Sequence, residues 1–108
     1  MAQNFRRYTS NNVGTSAATL FTANTYDTVI GISLANVTGS AITASAYIND
    51  GTNDIYLIKD APIPTGSTLQ VIDGGAKVVM QNNDVLKVVS DTASSLDTWI
   101  SVVDDISS

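Results

Sequence analysis

Thr28-Val29-Ile30-Gly31-Ile32-Ser33-Leu34-Ala35-Asn36 carries its large apolar side chains at alternate positions. Ile30, Ile32 and Leu34 share one face; Val29, Gly31, Ser33 and Ala35 share the other. Period two is strand spacing, since successive strand side chains point to opposite faces. The same spacing recurs downstream. In Ala41 to Asn49, Ile42, Ala44, Ala46 and Ile48 alternate with Thr43, Ser45 and Tyr47. In Leu96 to Asp104, Leu96, Thr98, Ile100 and Val102 alternate with Asp97, Trp99, Ser101 and Val103.

Turn residues punctuate these runs. Asn11-Asn12-Val13-Gly14 precedes Ser16 to Thr22, and Asn36-Val37-Thr38-Gly39-Ser40 joins two strands. Asp50-Gly51-Thr52-Asn53 reads as a hairpin loop, and Asp73-Gly74-Gly75 as another between Thr68–Ile72 and Lys77–Met80. Gln81-Asn82-Asn83-Asp84 leads into Val85–Ser90. Each supplies Asn, Asp or Gly where a positive φ is often needed. Pro62 and Pro64 cannot sit in a central strand, so Ala61–Gly66 is expected as a loop or an edge crossing. Ser90–Ser95 has room for a helical turn at most. The count is eight or nine short strands. That predicts an all-β, antiparallel β-sandwich, jelly-roll-like in plan.

Composition agrees. Thr (13), Ser (12) and Asn (9) supply most of the uncharged polar residues, and Val (11) and Ile (10) join Thr as β-branched residues. β-branched residues suit a pleated surface. With 108 residues the chain reads as a single domain, 1–108, with residues 1–12 available as an N-terminal arm. That length buries roughly two-thirds of the unfolded surface without a disulfide.

Cys, His and Glu are absent, and all ten acids are Asp. This removes disulfides, thiolate and imidazole metal ligands, and any Ser-His or Cys-His pair. The remaining candidates for proton chemistry are Asp, Ser, Lys and Tyr. Asp50, Asp54 and the pair Asp104-Asp105 are better read as turn and strand-end caps. No catalytic residue, metal ligand or cofactor is therefore assigned. Asn49 to Asp54 offers hard oxygens of the kind calcium takes, but a Gly-centred turn explains the same residues. A net charge of −5 argues against nucleic acid, which needs clustered Lys and Arg. The basic pair Arg6-Arg7 reads as a partner for Asp side chains. No apolar run approaches a membrane span, and the first residues lack the apolar core of a secretion signal.

The expected core face holds Ile30, Ile32, Leu34, Ile42, Ile48, Leu57, Leu69, Val71, Leu86, Val88, Ile100 and Val102. The opposite faces would be polar in a solvated monomer. They carry Tyr56, Ile58, Val79, Val85, Val89, Trp99 and Val103 instead. A bulge would turn some of these inward; otherwise they mark contacts with other subunits. Trp99, Tyr47 and Tyr56 also offer flat faces to a sugar ring.

One longer pattern spans most of the chain. Tyr56-Leu57-Ile58-Lys59-Asp60-Ala61-Pro62-Ile63-Pro64-Thr65-Gly66-Ser67-Thr68-Leu69 continues into Lys77-Val78-Val79-Met80, then Asp84-Val85-Leu86-Lys87-Val88, then Ser101-Val102-Val103-Asp104. With Phe5-Arg6-Arg7-Tyr8 and Asn12-Val13-Gly14-Thr15, this resembles small virion structural proteins of tailed bacteriophages, including phages of marine bacteria and cyanobacteria. Asn82-Asn83-Asp84 departs from the pattern where a Gly usually precedes the Asp. The resemblance implies a non-catalytic part of a virion, made in the host cytoplasm, whose partners are other virion proteins or sister subunits, a trimer among the options. The contact residues expected are Trp99, Tyr56, Val85 and Val103, with Phe5, Arg6 and Arg7 in the N-terminal arm. The competing expectation is a receptor-binding module for a cell-surface glycan.

Overall fold

The computed structural model describes residues 4–23 and 27–104. Its strands are β1 (Asn4–Val13), β2 (Ala18–Thr22), β3 (Asp27–Asn36), β4 (Ile42–Asn49), β5 (Asp54–Ile63), β6 (Thr68–Met80), β7 (Val85–Ser90) and β8 (Leu96–Asp104). They form two four-stranded sheets, one ordered β1-β8-β3-β6 and the other β2-β7-β4-β5, with antiparallel pairing throughout. Only β4 and β5 are consecutive strands of one sheet; every other connection changes sheet. This is the strand order of an eight-stranded jelly roll. The expected sandwich is the observed one.

The local chemistry accounts for the connections. At the β4–β5 hairpin, Gly51 takes φ 99°. Asp50 Oδ1 accepts the N–H groups of Thr52 and Asn53, at 3.0 and 2.8 Å. Pro62 stands opposite Thr43 in β5, which is an edge strand, so its missing N–H breaks no ladder. The chain then turns through Pro64–Gly66, with the Ser67 N–H donating to the Pro64 carbonyl at 3.2 Å, and crosses to the other sheet. The residues expected as an arm form β1, with Phe5 to Ser10 in unbroken register against β8; residues 1–3 lie outside the described residues. Ser90–Ser95 makes bends and a turn, with no helix.

Two expectations are corrected. Asp73-Gly74-Gly75 is not a hairpin. Both flanking segments belong to β6 and both pair with β3: Val78 faces Val29, and Asp73 faces Gly31. One β3 residue, Ile30, thus opposes four of β6, a ladder irregularity larger than a simple bulge. The second correction concerns phase. Against β8, Val29 faces Val102 and Gly31 faces Ser101, so Ile30 is an extra residue. The bulge flips the strand: Val29, Ile32 and Leu34 are buried, while Ile30 is half-buried on the outer side.

The core lies between the sheets. It is built from Val29, Ile32 and Leu34 of β3, Ile42, Ala44, Ala46 and Ile48 of β4, Leu86 and Val88 of β7, and Leu96, Ile100 and Val102 of β8, closed by Phe21, Ile63, Ile72 and Met80. Leu57, Leu69 and Val71 pack against it half-buried, and so does Ile58, which was expected on the outside. Two register shifts in the β4–β5 ladder bring Leu57 and Ile58 onto the core together.

Asn36 closes one end of the sandwich. It is buried, and its amide nitrogen donates to the Ser40 and Ile63 carbonyls at 2.8 and 3.0 Å. Its oxygen accepts the Thr38 N–H at 2.9 Å and the Thr38 hydroxyl at 2.8 Å. One side chain thereby ties the β3–β4 crossing to the end of β5. Ser90 and Ser95 form a second buried link, their hydroxyls 2.5 Å apart. Ser95 Oγ donates to the Thr92 carbonyl, so the Ser90 hydroxyl is the donor between the pair. No buried side-chain nitrogen or oxygen among the described residues lacks a partner.

Candidate interaction surface

The outer face of the β1-β8-β3-β6 sheet collects most of the expected contact residues. Its side chains line up in rows across the strands. Phe5 faces Val103, Val103 faces Thr28, and Thr28 faces Val79. This row is apolar except for Thr28, with Phe5 74% and Val79 65% exposed. Farther along, Arg7 faces Ser101, which faces Gly31. Beyond that, Thr9, Trp99, Ser33 and Gln70 follow one another across the four strands. Ser33 Oγ donates to Gln70 Oε1 at 3.0 Å, which fixes the floor beside the indole.

Trp99 is 52% exposed and stands above small neighbours. Arg7 lies over its ring, with Cζ 5.4 Å from the centroid. A guanidinium so placed is attracted by the negative ring face. Arg7 therefore has an aromatic partner where the sequence suggested an Asp. Arg6 has the opposite phase in β1, facing Val102, and is exposed at the sheet edge.

Tyr56 and Val85 belong to the other sheet. Tyr56 faces Tyr47, with ring centroids 5.0 Å apart and planes at 39°. Lys59 Nζ lies 5.1 Å from the Tyr56 centroid. Tyr47 points outward yet is only 8% exposed, because the second ring covers it. Desolvation raises the Tyr47 phenol above its ordinary 10.0, with the Asp54 charge adding to the shift. Val85 is half-buried, facing Thr22 and Asn49. The structure thus brings Trp99, Val103, Phe5 and Arg7 onto one face and sets Tyr56 and Val85 on another. Val79 completes the first patch; the alternation of Val78 and Val79 in β6 is the sequence signal for it.

Two carboxylates are held by local hydrogen bonds. Asp50 is held below its ordinary pKa by the N–H groups of Asn53 and Thr52, and Asp91 by the Thr43 N–H and the Thr92 hydroxyl. Both shifts favour the ionised form, opposite to what a general acid requires. In the loop read as a calcium candidate, Asn49 Oδ1 accepts the Gly51 N–H and Asp54 Oδ1 accepts from Asn49 Nδ2. Those oxygens close the turn on itself. Asp105 lies outside the described residues. No helix among the described residues is long and apolar enough to cross a membrane.

No family model matches the chain, and no curated protein matches its sequence. Solved structures share its fold. A pentameric capsid protein isolated from metagenomic phage sequences aligns with TM-score 0.53 and 14% identity, over 94% of this chain and 63% of its own. A protein of Bacillus endospore appendages, which form disulfide-linked pili, aligns with TM-score 0.55 and 16% identity, over 94% of this chain and 84% of its own. A protein of infectious bursal disease virus aligns with TM-score 0.50 and 18% identity, over 94% of this chain and 33% of its own. The chain spans less than two thirds of the length of either viral protein. At these identities the likeness is one of fold: the jelly roll of this chain is a fold also found in capsid and pilus proteins.

Proposed function

We propose that this chain is a non-catalytic accessory structural protein of a tailed phage virion, a capsid decoration or a tail- or neck-associated subunit, that works by protein–protein assembly. The observation that carries the reading is the exposed row Phe5–Val103–Val79 on one sheet face. Aligned apolar side chains on a sheet are a contact surface when covered and a liability when bare. The row would be buried against a sister subunit or a neighbouring shell or tail protein, with Arg6 and Arg7 at its margin. Tyr56 and Val85, on the other sheet, would serve a second contact, as a subunit with neighbours on both sides requires.

The sequence resemblance to small tailed-phage virion proteins supports this reading, and so does the fold shared with a phage capsid protein. The absence of cysteine separates the chain from the disulfide linkage named for the endospore pili. The test is sedimentation and light scattering of the wild type and of Phe5→Ser. Concentration-dependent oligomers that Phe5→Ser disperses are expected. A clean monomer at high concentration would exclude the homo-oligomer. If purified virions lacking the protein also failed to bind it, the assembly role itself would be excluded.

A further inference from the structure

We propose that the hollow beside Trp99 is a subsite for one ring of a neutral hexopyranose. Trp99 separates two hollows on the outer sheet face. The one toward Phe5 is lined by Arg7, Ile30 and Ser101. The other, of about 470 Å³, is lined by Thr9, Asn11, Ser33, Ala35, Thr68 and Asp97. Its size falls in the range of about 300–1,000 Å³ usual for small-molecule sites. Arg7 lies over the indole and lines the first hollow only. The indole therefore also borders a second space that the guanidinium does not enter.

A pyranose presents an apolar C–H face and a rim of hydroxyls that both donate and accept. The hollow offers the complement. The indole is a flat apolar wall. Thr9 and Thr68 carry hydroxyls and Asn11 an amide, each able to donate or accept, while Ser33 Oγ, which donates to Gln70, can still accept. Ser33 and Ala35 face Trp99 and Asp97 across the β3–β8 ladder, and their small side chains give a ring room. Asp97 Oδ1 accepts the Asn12 N–H at 3.1 Å, which holds the carboxylate at the rim. A sugar hydroxyl donating to that carboxylate forms a charge-assisted bond. The same charge, with a net −5 on the chain, selects against sialic and uronic acids. An open site of this kind binds a single ring weakly. Many copies on one particle would raise the avidity by about 10²–10⁴. The inference stands whether or not the chain assembles.

Trp99 is the only tryptophan, so emission excited selectively at tryptophan reports on this indole, and the amide shifts say which side of it is occupied. Methyl glycosides of glucose, galactose and mannose would be titrated to about 100 mM, far enough to detect millimolar affinity, beside a methyl sialoside. The expected result is a saturable emission change with at least one neutral glycoside, and amide shifts at Thr9, Ser33, Thr68 and Asp97 in NMR spectra. Asp97→Asn keeps an acceptor for the Asn12 N–H, so it should fold normally and bind about tenfold more weakly. Non-saturating emission with all three neutral glycosides, with no shift at those four amides, overturns the site. Saturation by the sialoside alone overturns the ligand class, and binding indifferent to Asp97→Asn overturns the assigned geometry.

Discussion

Arg7 lies over the ring of Trp99, 5.4 Å from its centroid, and the two come from strands at opposite ends of the chain. A contact of this kind at an exposed site is worth about 0.5–1 kcal/mol. A double-mutant cycle on Arg7→Ala and Trp99→Leu, read by urea midpoints, should return a coupling of that size. Arg7→Ala alone should also shift the Trp99 emission. A coupling of zero would mean that Arg7 only passes the ring.

Trp99→Ala should destabilise by under about 1.5 kcal/mol, well below the roughly 3–5 kcal/mol of a fully buried large aromatic. Half of the side chain is already in water. Urea unfolding followed by circular dichroism checks this. A loss of about 4 kcal/mol would make Trp99 a core residue.

Phe5→Ser and Val79→Ser should leave the unfolding midpoint of the monomer within about 0.5 kcal/mol of wild type, as for other exposed sites. Both should nonetheless lower the sedimentation coefficient at high concentration. A stability loss without a change in association would mean that the row serves the fold.

Asn36→Ala should cost about 2–4 kcal/mol. It removes four hydrogen bonds from a buried position and leaves the Ile63 carbonyl without that donor. Asn49→Ala, on the exposed hairpin, should cost far less. Comparing the two urea midpoints is the measurement.

Asp50 and Asp91 both titrate below the ordinary 3.8 in the folded chain. A folded pKa lower than the unfolded one contributes stability that is complete above the unfolded value. That stability is lost as the pH falls through the folded value. The melting temperature should therefore be flat near neutrality and decline below about pH 4. Asp91→Asn should flatten part of that decline. A melting temperature that rises on acidification would contradict the assigned hydrogen bonds.

Much of the fold was legible because period-two spacing and turn residues agree over most of the chain. Ile32, Leu34, Ile100 and Val102 fell on the core side as read. Ala61–Gly66 was read as a loop or an edge crossing because proline is barred from central strands; Ala61–Ile63 end the edge strand β5, and Pro64–Gly66 make the turn. Ile30 was misplaced because a bulge resets the phase. Gly31 beside it was the available warning, since a glycine within a strand pattern often marks one. Asp73-Gly74-Gly75 has the chemistry of a hairpin and of a bulge alike. What separates them is the strand both flanks pair with, and β3 is some forty residues upstream. The outward-facing residues expected at contacts were picked out by the same alternation, but their division between two sheets was not legible, because that depends on strand order.

The row Phe5–Val103–Thr28–Val79 gathers residues from the first strand, the last, and two between. Phe5 and Val103 are nearly the whole chain apart, and closing so distant a pair is among the slow, late steps of folding. A nascent chain therefore carries none of this surface. It comes into being only when β8 docks between β1 and β3. If the row is the contact proposed above, a half-made subunit lacks it, and association through it follows folding.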